Sequence, residues 1–348
     1  MKGDSYERKK RYYKRNKNNI SKLEIILCNI CNLNCKYCYA KGGTYSSKSI
    51  MLSTEKIKKI LDQLIIKEKN CLKQIMFFGG EPLINFKAIK FVIEYFKSLK
   101  RKNIVKEIPF YTIVTNATLV TDEIANYLSK NKVIITVSLD GPENINDNLR
   151  IDKNKEGSFK NINKGIKLLE KYNCNLNTIE CTYTTFHKQK NISKEFLHKF
   201  FSENYNFKNI MIINCSGDTK LAISEDEYIK DNKDIKLNIL NLLNSKNKIG
   251  CQAGRKSISI SPDGNIYPCH YFYIDKINKL ELDRINKDIM IFNKHLYKKK
   301  NSSCNNCWLR NICNQCPATI VLYNKNKSNS LCSYRKRVYK EELLKIFK

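Results

Sequence analysis

Three cysteines stand close together near the start of this chain, at Cys31, Cys35 and Cys38, with the spacing C-x3-C-x2-C. Zinc and iron–sulfur sites in proteins are ordinarily closed by four ligands, and cysteine thiolates are common among them. A metal centre held by three thiolates of one short loop therefore keeps one coordination position for another molecule. The spacing predicts a metal site that takes part in chemistry.

Seven further cysteines are grouped in the last third of the chain. The first two form the pattern C-x12-G-x4-C, which runs from Cys251 through Gly264 to Cys269. The other five are Cys304, Cys307, Cys313, Cys316 and Cys332. A reducing compartment does not favour disulfides, so we interpret the 15 cysteines of the chain as metal or redox chemistry. Taken alone, the closely spaced pairs also suit a zinc ribbon.

The composition indicates a globular cytoplasmic protein. The chain has 348 residues, of which 42% are hydrophobic, and it carries neither a signal peptide nor an apolar run of the ~20 residues needed to cross a membrane. The net charge of +31 would attract nucleic acid or another acidic partner. Lys, Asn and Ile are abundant together, however, as in proteins from A/T-rich genomes. We expect no nucleic-acid and no membrane partner, and an acidic peptide fits the charge better.

The elements that must position the cysteines alternate along the chain. Apolar segments predict strands at 23–28, 74–78, 110–114, 133–139, 176–183 and 209–213. Amphipathic segments predict helices at 57–65, 86–99, 122–128, 159–172, 195–201 and 225–243. Such an alternation builds a parallel sheet from right-handed βα units, and six units are too few to close an eight-stranded barrel. We predict an α/β fold, a partial (β/α)6 TIM-like barrel.

Unusual residues follow the ends of the first four predicted strands. The cysteine loop follows the first, Gly79-Gly80-Glu81-Pro82 the second, Thr115-Asn116 the third, and Ser138 to Pro142 the fourth. Chemistry in α/β folds is placed in the loops after the carboxyl ends of strands. Position and residue type therefore indicate the same site.

The C-x3-C-x2-C spacing, with the aromatic Tyr37 before the last cysteine, resembles the signature of the radical S-adenosylmethionine (radical SAM) enzymes. The resemblance implies that Cys31, Cys35 and Cys38 hold a [4Fe-4S] cluster whose fourth iron binds SAM. In that family an electron from the cluster splits SAM into methionine and a 5′-deoxyadenosyl radical, which removes a hydrogen atom from the substrate. It also implies an external electron donor of the flavodoxin or ferredoxin type.

Two further segments resemble parts of the same family that bind SAM. Gly79-Gly80-Glu81-Pro82 looks like the segment that holds the SAM amino group. The segment from 137 to 159 is similar to the part of peptide-modifying members in which a Ser and an Arg contact SAM. By that likeness Ser138 lies near SAM and Arg150 pairs with its carboxylate, a role that suits a bidentate guanidinium. As bare residues, Ser138 and Asp140 could be turn formers and Arg150 a surface charge.

The seven C-terminal cysteines resemble the SPASM extension, which in sulfatase maturases and peptide-modifying relatives carries two auxiliary [4Fe-4S] clusters. Carried over, the outer cluster is held by Cys304, Cys307, Cys313 and Cys332. The inner cluster is held by Cys251, Cys269 and Cys316, and its vacant iron can accept a substrate thiolate. The chain departs from the extension in two places: 313–316 is C-x2-C where C-x3-C is usual, and 255–257 lacks a cysteine that some relatives supply.

These resemblances imply a division of the chain. We expect a basic tail at 1–20, the barrel at 21–249, a small cysteine-rich iron–sulfur domain at 250–335 and a C-terminal helix at 336–348. About 20 residues before the first strand are too few for a leader-binding domain. Leader recognition would then need a separate protein or the basic surface.

The residue after Cys269 distinguishes the functions within the family. Sulfatase maturases carry an Asp there as the proposed base, whereas this chain has His270 followed by an aromatic residue, similar to thioether-forming peptide maturases. His270 could act as a base or hydrogen-bond a cluster sulfur. The leading hypothesis is a maturase that forms a thioether in a ribosomally made peptide. Peptide epimerisation, carbon–carbon cross-linking and formylglycine formation are the alternatives, and a non-catalytic zinc or nucleic-acid-binding protein is the rival of another class.

Overall fold

The computed structural model describes residues 20–68, 72–216, 219–224, 252–274, 276, 278–282, 285, 288, 307–311 and 328–346. Its strands are β1 (Lys22–Ile26), β2 (Gln74–Phe78), β3 (Phe110–Thr115), β4 (Ile134–Ser138), β5 (Asn175–Tyr183), β6 (Asn209–Asn214), β7 (Ser257–Ile260) and β8 (Ile266–Tyr267). Its α-helices are α1 (Thr54–Glu68), α2 (Phe86–Arg101), α3 (Asp122–Lys130), α4 (Glu143–Leu149), α5 (Phe159–Lys171), α6 (Thr185–Gln189), α7 (Lys194–Asn204), α8 (His270–Ile274) and α9 (Ser328–Ile346).

The eight strands form one open sheet in the order β6-β5-β4-β3-β2-β1-β7-β8. Neighbouring strands from β6 to β7 are parallel, and only the short β8 runs antiparallel, against β7. The sheet does not close, since β6 and β8 lie at its two edges. The predicted α/β partial barrel and its six strands are confirmed.

Alternation along β1 shows how the sheet separates two environments. Leu23 and Ile25 are fully buried in the core that the helices cover. Glu24 lies between them in sequence and is also buried, but its carboxylate contacts Ser259 of the neighbouring β7. The inner face of the sheet thus carries polar groups, as expected where a barrel holds a site.

Several features of the fold go beyond the predicted elements. The short helices α4 and α6 were not expected, and β7 joins the sheet beside β1 through the register Glu24↔Ser259. The C-terminal helix begins at Ser328, earlier than the expected 336. The predicted helix at 225–243 and residues 1–19 of the predicted tail lie outside the described residues. Within the described part of the chain, no helix is long and apolar enough to span a membrane.

Candidate active site at the carboxyl ends of the strands

The cysteine loop leaves β1 in a fixed conformation. Asn29, which is fully buried, accepts a hydrogen bond from the Ile50 N–H at 2.6 Å and so ties the loop to the segment before α1. The Cys38 N–H donates to the Cys35 carbonyl at 3.1 Å and closes a turn between these two cysteines. Cys31, Cys35 and Cys38 are all free and partly exposed. A short loop therefore presents three accessible thiols.

Two of the three thiols, those of Cys31 and Cys35, lie in a partly apolar setting that favours their neutral form. Burial, reinforced by the nearby Glu81 carboxylate, raises the pKa of Cys31 to about 12. Burial also raises the pKa of Cys35 to about 11, although the Arg150 charge opposes the shift. Within the described ranges, no three His, Cys, Asp or Glu side chains converge as they would around a single metal ion. A four-iron cluster is larger than a single ion, so its ligands lie further apart than those of one ion.

The two glycines after β2 allow the backbone to approach the cysteine loop. A Cβ on Gly80 would lie 2.2 Å from the Ile30 carbonyl oxygen, and one on Gly79 would lie 2.7 Å from that of Cys28. Main-chain hydrogen bonds from Gly80 to Cys28 and from Glu81 to Ile30, both 2.9 Å, hold the two segments together. This close approach brings two predicted SAM-binding loops into contact.

The Glu81 carboxylate is used entirely within the protein. It accepts hydrogen bonds from the Leu83 N–H at 3.0 Å, the Thr115 hydroxyl at 2.7 Å and the Asn116 N–H at 2.8 Å. Burial raises its pKa, and these three bonds oppose the rise. Pro82 follows as the first residue of a 3-10 turn, where its missing N–H costs nothing. This segment can therefore offer a ligand main-chain groups, while the Glu81 side chain fixes the end of β3.

Arg150, Tyr37 and Asp140 form a buried cluster beside the cysteine loop. Arg150 is 7% exposed, so its interpretation as a surface charge is wrong. Its Nη1 donates to the Tyr37 hydroxyl at 2.6 Å and lies 3.8 Å from Oδ2 of Asp140. Burial opposes the charge of Arg150, but the nearby Cys35, Tyr37 and Asp140 outweigh it and raise its pKa.

One donor of this cluster is left over. The Nε of Arg150 is buried and has no hydrogen-bond partner in the part of the chain that is described. An unsatisfied buried donor costs about 1–3 kcal/mol, more when charged. A ligand carboxylate would satisfy it.

Ser138 is the last residue of β4 and is half-buried. Its register partner on β5 is Glu180, a half-buried carboxylate that the sequence analysis did not single out. Burial raises the pKa of Glu180, and the Arg150 charge opposes the shift. Arg150 therefore acts electrostatically on the register partner of Ser138, and the role of Ser138 at SAM stays a prediction.

His270 reaches the same region from the C-terminal part of the chain. Its ring centroid lies 5.0 Å from that of Phe78, which precedes Gly79, and 6.0 Å from that of Tyr39, which follows Cys38. Cys269 packs against the same apolar cluster as Cys38. Cys38 of the first cysteine group and Cys269 of the second therefore lie against one apolar cluster.

The His270 ring is held by a residue that the sequence analysis missed. Its Nδ1 lies 2.9 Å from Oε1 of Glu24, and its main-chain N–H donates to Oε2 at 3.1 Å. Burial raises the pKa of Glu24, but the charge and hydrogen bond of His270 outweigh it, so the pKa lies below its usual range. A charged residue inside an otherwise apolar strand was the available signal.

Most of the other cysteines that are predicted to bind iron lie outside the residues that the structure describes. Cys307 is partly exposed and precedes a 3-10 turn at Trp308–Asn311. Cys332 lies in α9, with its side chain outside the described residues. Four predicted ligands also lie outside them, namely Cys251, Cys304, Cys313 and Cys316.

The residues present fit a SAM-binding iron–sulfur site. Cys31, Cys35 and Cys38 offer soft sulfur ligands, which suit iron–sulfur clusters. The unpaired Nε of Arg150 offers a charged donor for a carboxylate beside the cysteine loop.

Comparison with protein families identifies two matching regions. Residues 25–200, just over half of the chain, match the Radical SAM superfamily. Residues 251–308 match the SPASM iron-sulfur cluster-binding domain.

Individual proteins resemble the chain over most of its length. It is 27% identical over 321 residues to a cysteine-type anaerobic sulfatase-maturating enzyme of Clostridium novyi, covering 80% of this chain and 82% of that protein. It is 29% identical to the radical SAM cyclopropyl synthase TigE of Paramaledivibacter caminithermalis, covering 75% and 60%. It is 25% identical to the antilisterial bacteriocin subtilosin biosynthesis protein AlbA of Bacillus subtilis, covering 91% and 71%.

A solved structure shares the fold. The structure of anSMEcpe with bound AdoMet and Cp18Cys peptide superimposes with a TM-score of 0.69 at 22% identity, covering 94% of this chain and 97% of that one.

Proposed function

This chain belongs to the radical SAM superfamily, and from that premise we propose that it forms a thioether in a ribosomally made peptide. The chain is a SPASM-type enzyme of this superfamily, similar to sulfatase maturases and peptide-modifying enzymes. The proposal adds the substrate class and the bond that is made.

The observation that carries the SAM-binding part is the buried Arg150 with its unpaired Nε beside the cysteine loop. We assign Cys31, Cys35 and Cys38 to a [4Fe-4S] cluster and the main chain of Gly79-Gly80-Glu81-Pro82 to the SAM amino group. Ser138 and Arg150 complete the SAM site, and Tyr37 supports it. When bound, SAM and the cluster supply a radical that removes a hydrogen atom from the substrate.

The C-terminal cysteines are assigned to two auxiliary [4Fe-4S] clusters, which makes three clusters in all. The outer cluster takes Cys304, Cys307, Cys313 and Cys332, and the inner one Cys251, Cys269 and Cys316. Support comes from the match of 251–308 to the SPASM domain. The ring contacts of His270 with Phe78 and Tyr39 also support the proposal, because they put Cys269, the neighbour of His270, close to the cysteine loop.

The reaction balances with SAM as the oxidant. The peptide loses one hydrogen atom from the acceptor carbon and the proton of its cysteine thiol, and a sulfur–carbon bond forms. SAM takes up the two electrons that the peptide loses and leaves as methionine and 5′-deoxyadenosine. His270 is our candidate for receiving the thiol proton, because Glu24 engages its Nδ1 and its Nε2 has no hydrogen bond among the described residues.

A peptide substrate is supported by the name of the bacteriocin biosynthesis relative and by the peptide bound in the anSMEcpe structure. We further propose an external electron donor of the flavodoxin or ferredoxin type and a separate protein for leader recognition.

Iron content and SAM cleavage test the first part of the proposal. Anaerobically reconstituted protein should bind about twelve irons per chain and, when reduced with dithionite, should release 5′-deoxyadenosine. Cys35→Ala should lose about four irons and all cleavage. Cys174→Ala, which changes a partly buried cysteine on the helix-covered side, should retain both. A colourless protein that contains zinc would contradict the proposal.

Mass spectrometry of peptides tests the bond. Short cysteine-containing peptides encoded beside this gene are the substrates to incubate with enzyme and SAM. A thioether removes two hydrogens and one titratable thiol but keeps the sulfur. Formylglycine formation, which the sulfatase-maturase relatives favour as the second candidate, would remove the sulfur of a cysteine. A carbon–carbon cross-link would leave the thiol free, and epimerisation would keep the mass and add deuterium from heavy water.

A further inference from the structure

We propose that Asp140 and Tyr37 are positioning residues that aim the Arg150 guanidinium at the carboxylate of SAM. This inference rests on the proposed function, in which Arg150 binds SAM, and adds how the chain prepares Arg150 for that task.

The side chain of Asp140 is fully buried and contacts residues of three other segments. Its Oδ1 accepts a hydrogen bond from the Thr182 N–H of β5 at 2.9 Å. Its Oδ2 accepts one from the Tyr37 hydroxyl at 2.5 Å and lies 3.8 Å from Nη1 of Arg150. The carboxylate therefore joins β5, the cysteine loop and the end of α4.

The main chain of Asp140 is fixed as firmly. Its N–H donates to Oδ1 of Asn146 at 3.3 Å, and its carbonyl lies 2.8 Å from Nε2 of His187, which is fully buried. Every polar group of Asp140 thus has a partner on a different segment. A residue held in this way provides a rigid reference point for its neighbours.

The Tyr37 hydroxyl links Asp140 to Arg150 and so fixes where the guanidinium lies. It donates to Asp140 and accepts from Nη1 of Arg150 at 2.6 Å. With Nη1 engaged, the guanidinium is free to turn only within the limits of this bond. Its Nε is left without a partner among the described residues. The Nε side of a guanidinium matches a carboxylate with two parallel N–H···O bonds.

A second arrangement of the same groups provides the control. On the outer surface, Asp122 accepts hydrogen bonds from Lys171 at 2.6 Å and from the Tyr172 hydroxyl at 2.9 Å. This trio also joins a carboxylate, a cation and a tyrosine, but it is exposed and lies away from the cysteine loop. Substitutions there repeat the chemical change without touching the proposed site.

The test compares the binding of SAM with that of decarboxylated SAM, which lacks the carboxylate that Arg150 would hold. Affinities are measured on the iron-loaded protein from the change that each ligand causes in the EPR spectrum of the reduced cluster. The change is normalised to the amount of cluster in each sample. Tyr37→Phe should weaken SAM binding about tenfold and decarboxylated SAM less than about twofold. Asp140→Asn should show the same selectivity, whereas Tyr172→Phe and Asp122→Asn should leave both affinities unchanged.

If Tyr37→Phe weakened the binding of SAM and of decarboxylated SAM equally, these residues would serve general stability and the inference would be overturned. Unchanged SAM binding in Tyr37→Phe would also overturn it. Should Asp140→Asn fail to fold, the conservative Tyr37→Phe decides alone. A wild-type protein that loads iron but does not bind SAM would overturn the proposed function itself, which separates that failure from failure of this inference.

Discussion

The Glu24 carboxylate on β1 lies 2.9 Å from Nδ1 of His270, a residue 246 positions further along the chain. Glu24 also accepts the His270 main-chain N–H and the Ser259 hydroxyl. One buried carboxylate therefore fixes the start of α8 against the first strand of the barrel. It also determines which ring nitrogen of His270 is left for other partners.

Removal of this contact should reveal a direct coupling between the two residues. Glu24→Gln and His270→Asn should each lower the free energy of unfolding by about 2 kcal/mol, since each breaks a hydrogen bond between the buried Glu24 carboxylate and the partly buried His270 ring. In the double mutant the losses should fall short of additivity by about 1–2 kcal/mol. Urea unfolding under argon, followed by circular dichroism, measures the cycle.

The exposed pair Lys58 and Asp62 is the control and should couple by less than about 0.5 kcal/mol. Additive losses at Glu24 and His270 would contradict the contact.

Glu81→Gln should destabilise the end of β3. The glutamine amide would place an N–H against the donors of Thr115 or Asn116, which the carboxylate now accepts. We expect a loss of about 2 kcal/mol in the free energy of unfolding, measured by urea denaturation. Glu55→Gln, in the exposed first turn of α1, should change it by less than about 0.5 kcal/mol. Equal effects of the two substitutions would argue against the buried network.

Gly80→Ala should disturb iron loading at the cysteine loop. The added Cβ would meet the Ile30 backbone at 2.2 Å, so either the loop or the segment after β2 must move. We expect the irons of this loop to fall below about half of their wild-type amount, since overpacking of this kind costs about 1–3 kcal/mol. Gly264→Ala is the control, because its Cβ would meet nothing closer than the flexible Lys56 side chain at 3.4 Å, although its positive φ adds strain. Iron analysis that finds both variants fully loaded would contradict the expectation.

His187 should make stability sensitive to mild acid. Burial lowers the pKa of this ring below its usual 6.5, although its bond to the Asp140 carbonyl opposes the shift. The unfolded chain therefore binds the proton more readily, and the folded state loses stability as the pH falls below 6.5. The slope due to this group is at most about 1.4 kcal/mol per pH unit.

Unfolding free energies measured between pH 6.5 and pH 5 test this expectation. His187→Gln should flatten the pH dependence, whereas His198→Gln, at an exposed position of α7, should preserve it. An unchanged slope in His187→Gln would show that the acid sensitivity arises elsewhere.

The sequence predicted the barrel well because its signals are local. Strand β2 begins and ends where the apolar run 74–78 does, and the loops with unusual residues follow the predicted strands. Arg150 is buried beside the cysteine loop, although its sequence context alone would also suit the surface.

Contacts between distant segments could not be predicted in this way. Glu24 was hidden in an apolar strand, and its partner His270 lies in a different part of the chain. His187 was missed because its role depends on the Asp140 carbonyl, which only the fold brings within 2.8 Å. The pairing of β7 with β1 was missed for the same reason, since register between separate segments leaves no local pattern.

The pairing of β7 along β1 has a consequence for engineering. The Ser21 and Lys22 N–H groups both donate to the Lys256 carbonyl, and the two strands continue side by side from there. A truncation just before β7 would strip β1 of a neighbour and expose a row of backbone groups that can recruit other chains. We therefore expect such a shortened gene product to form inclusion bodies, and chimaeras between relatives to succeed only when both strands come from the same parent.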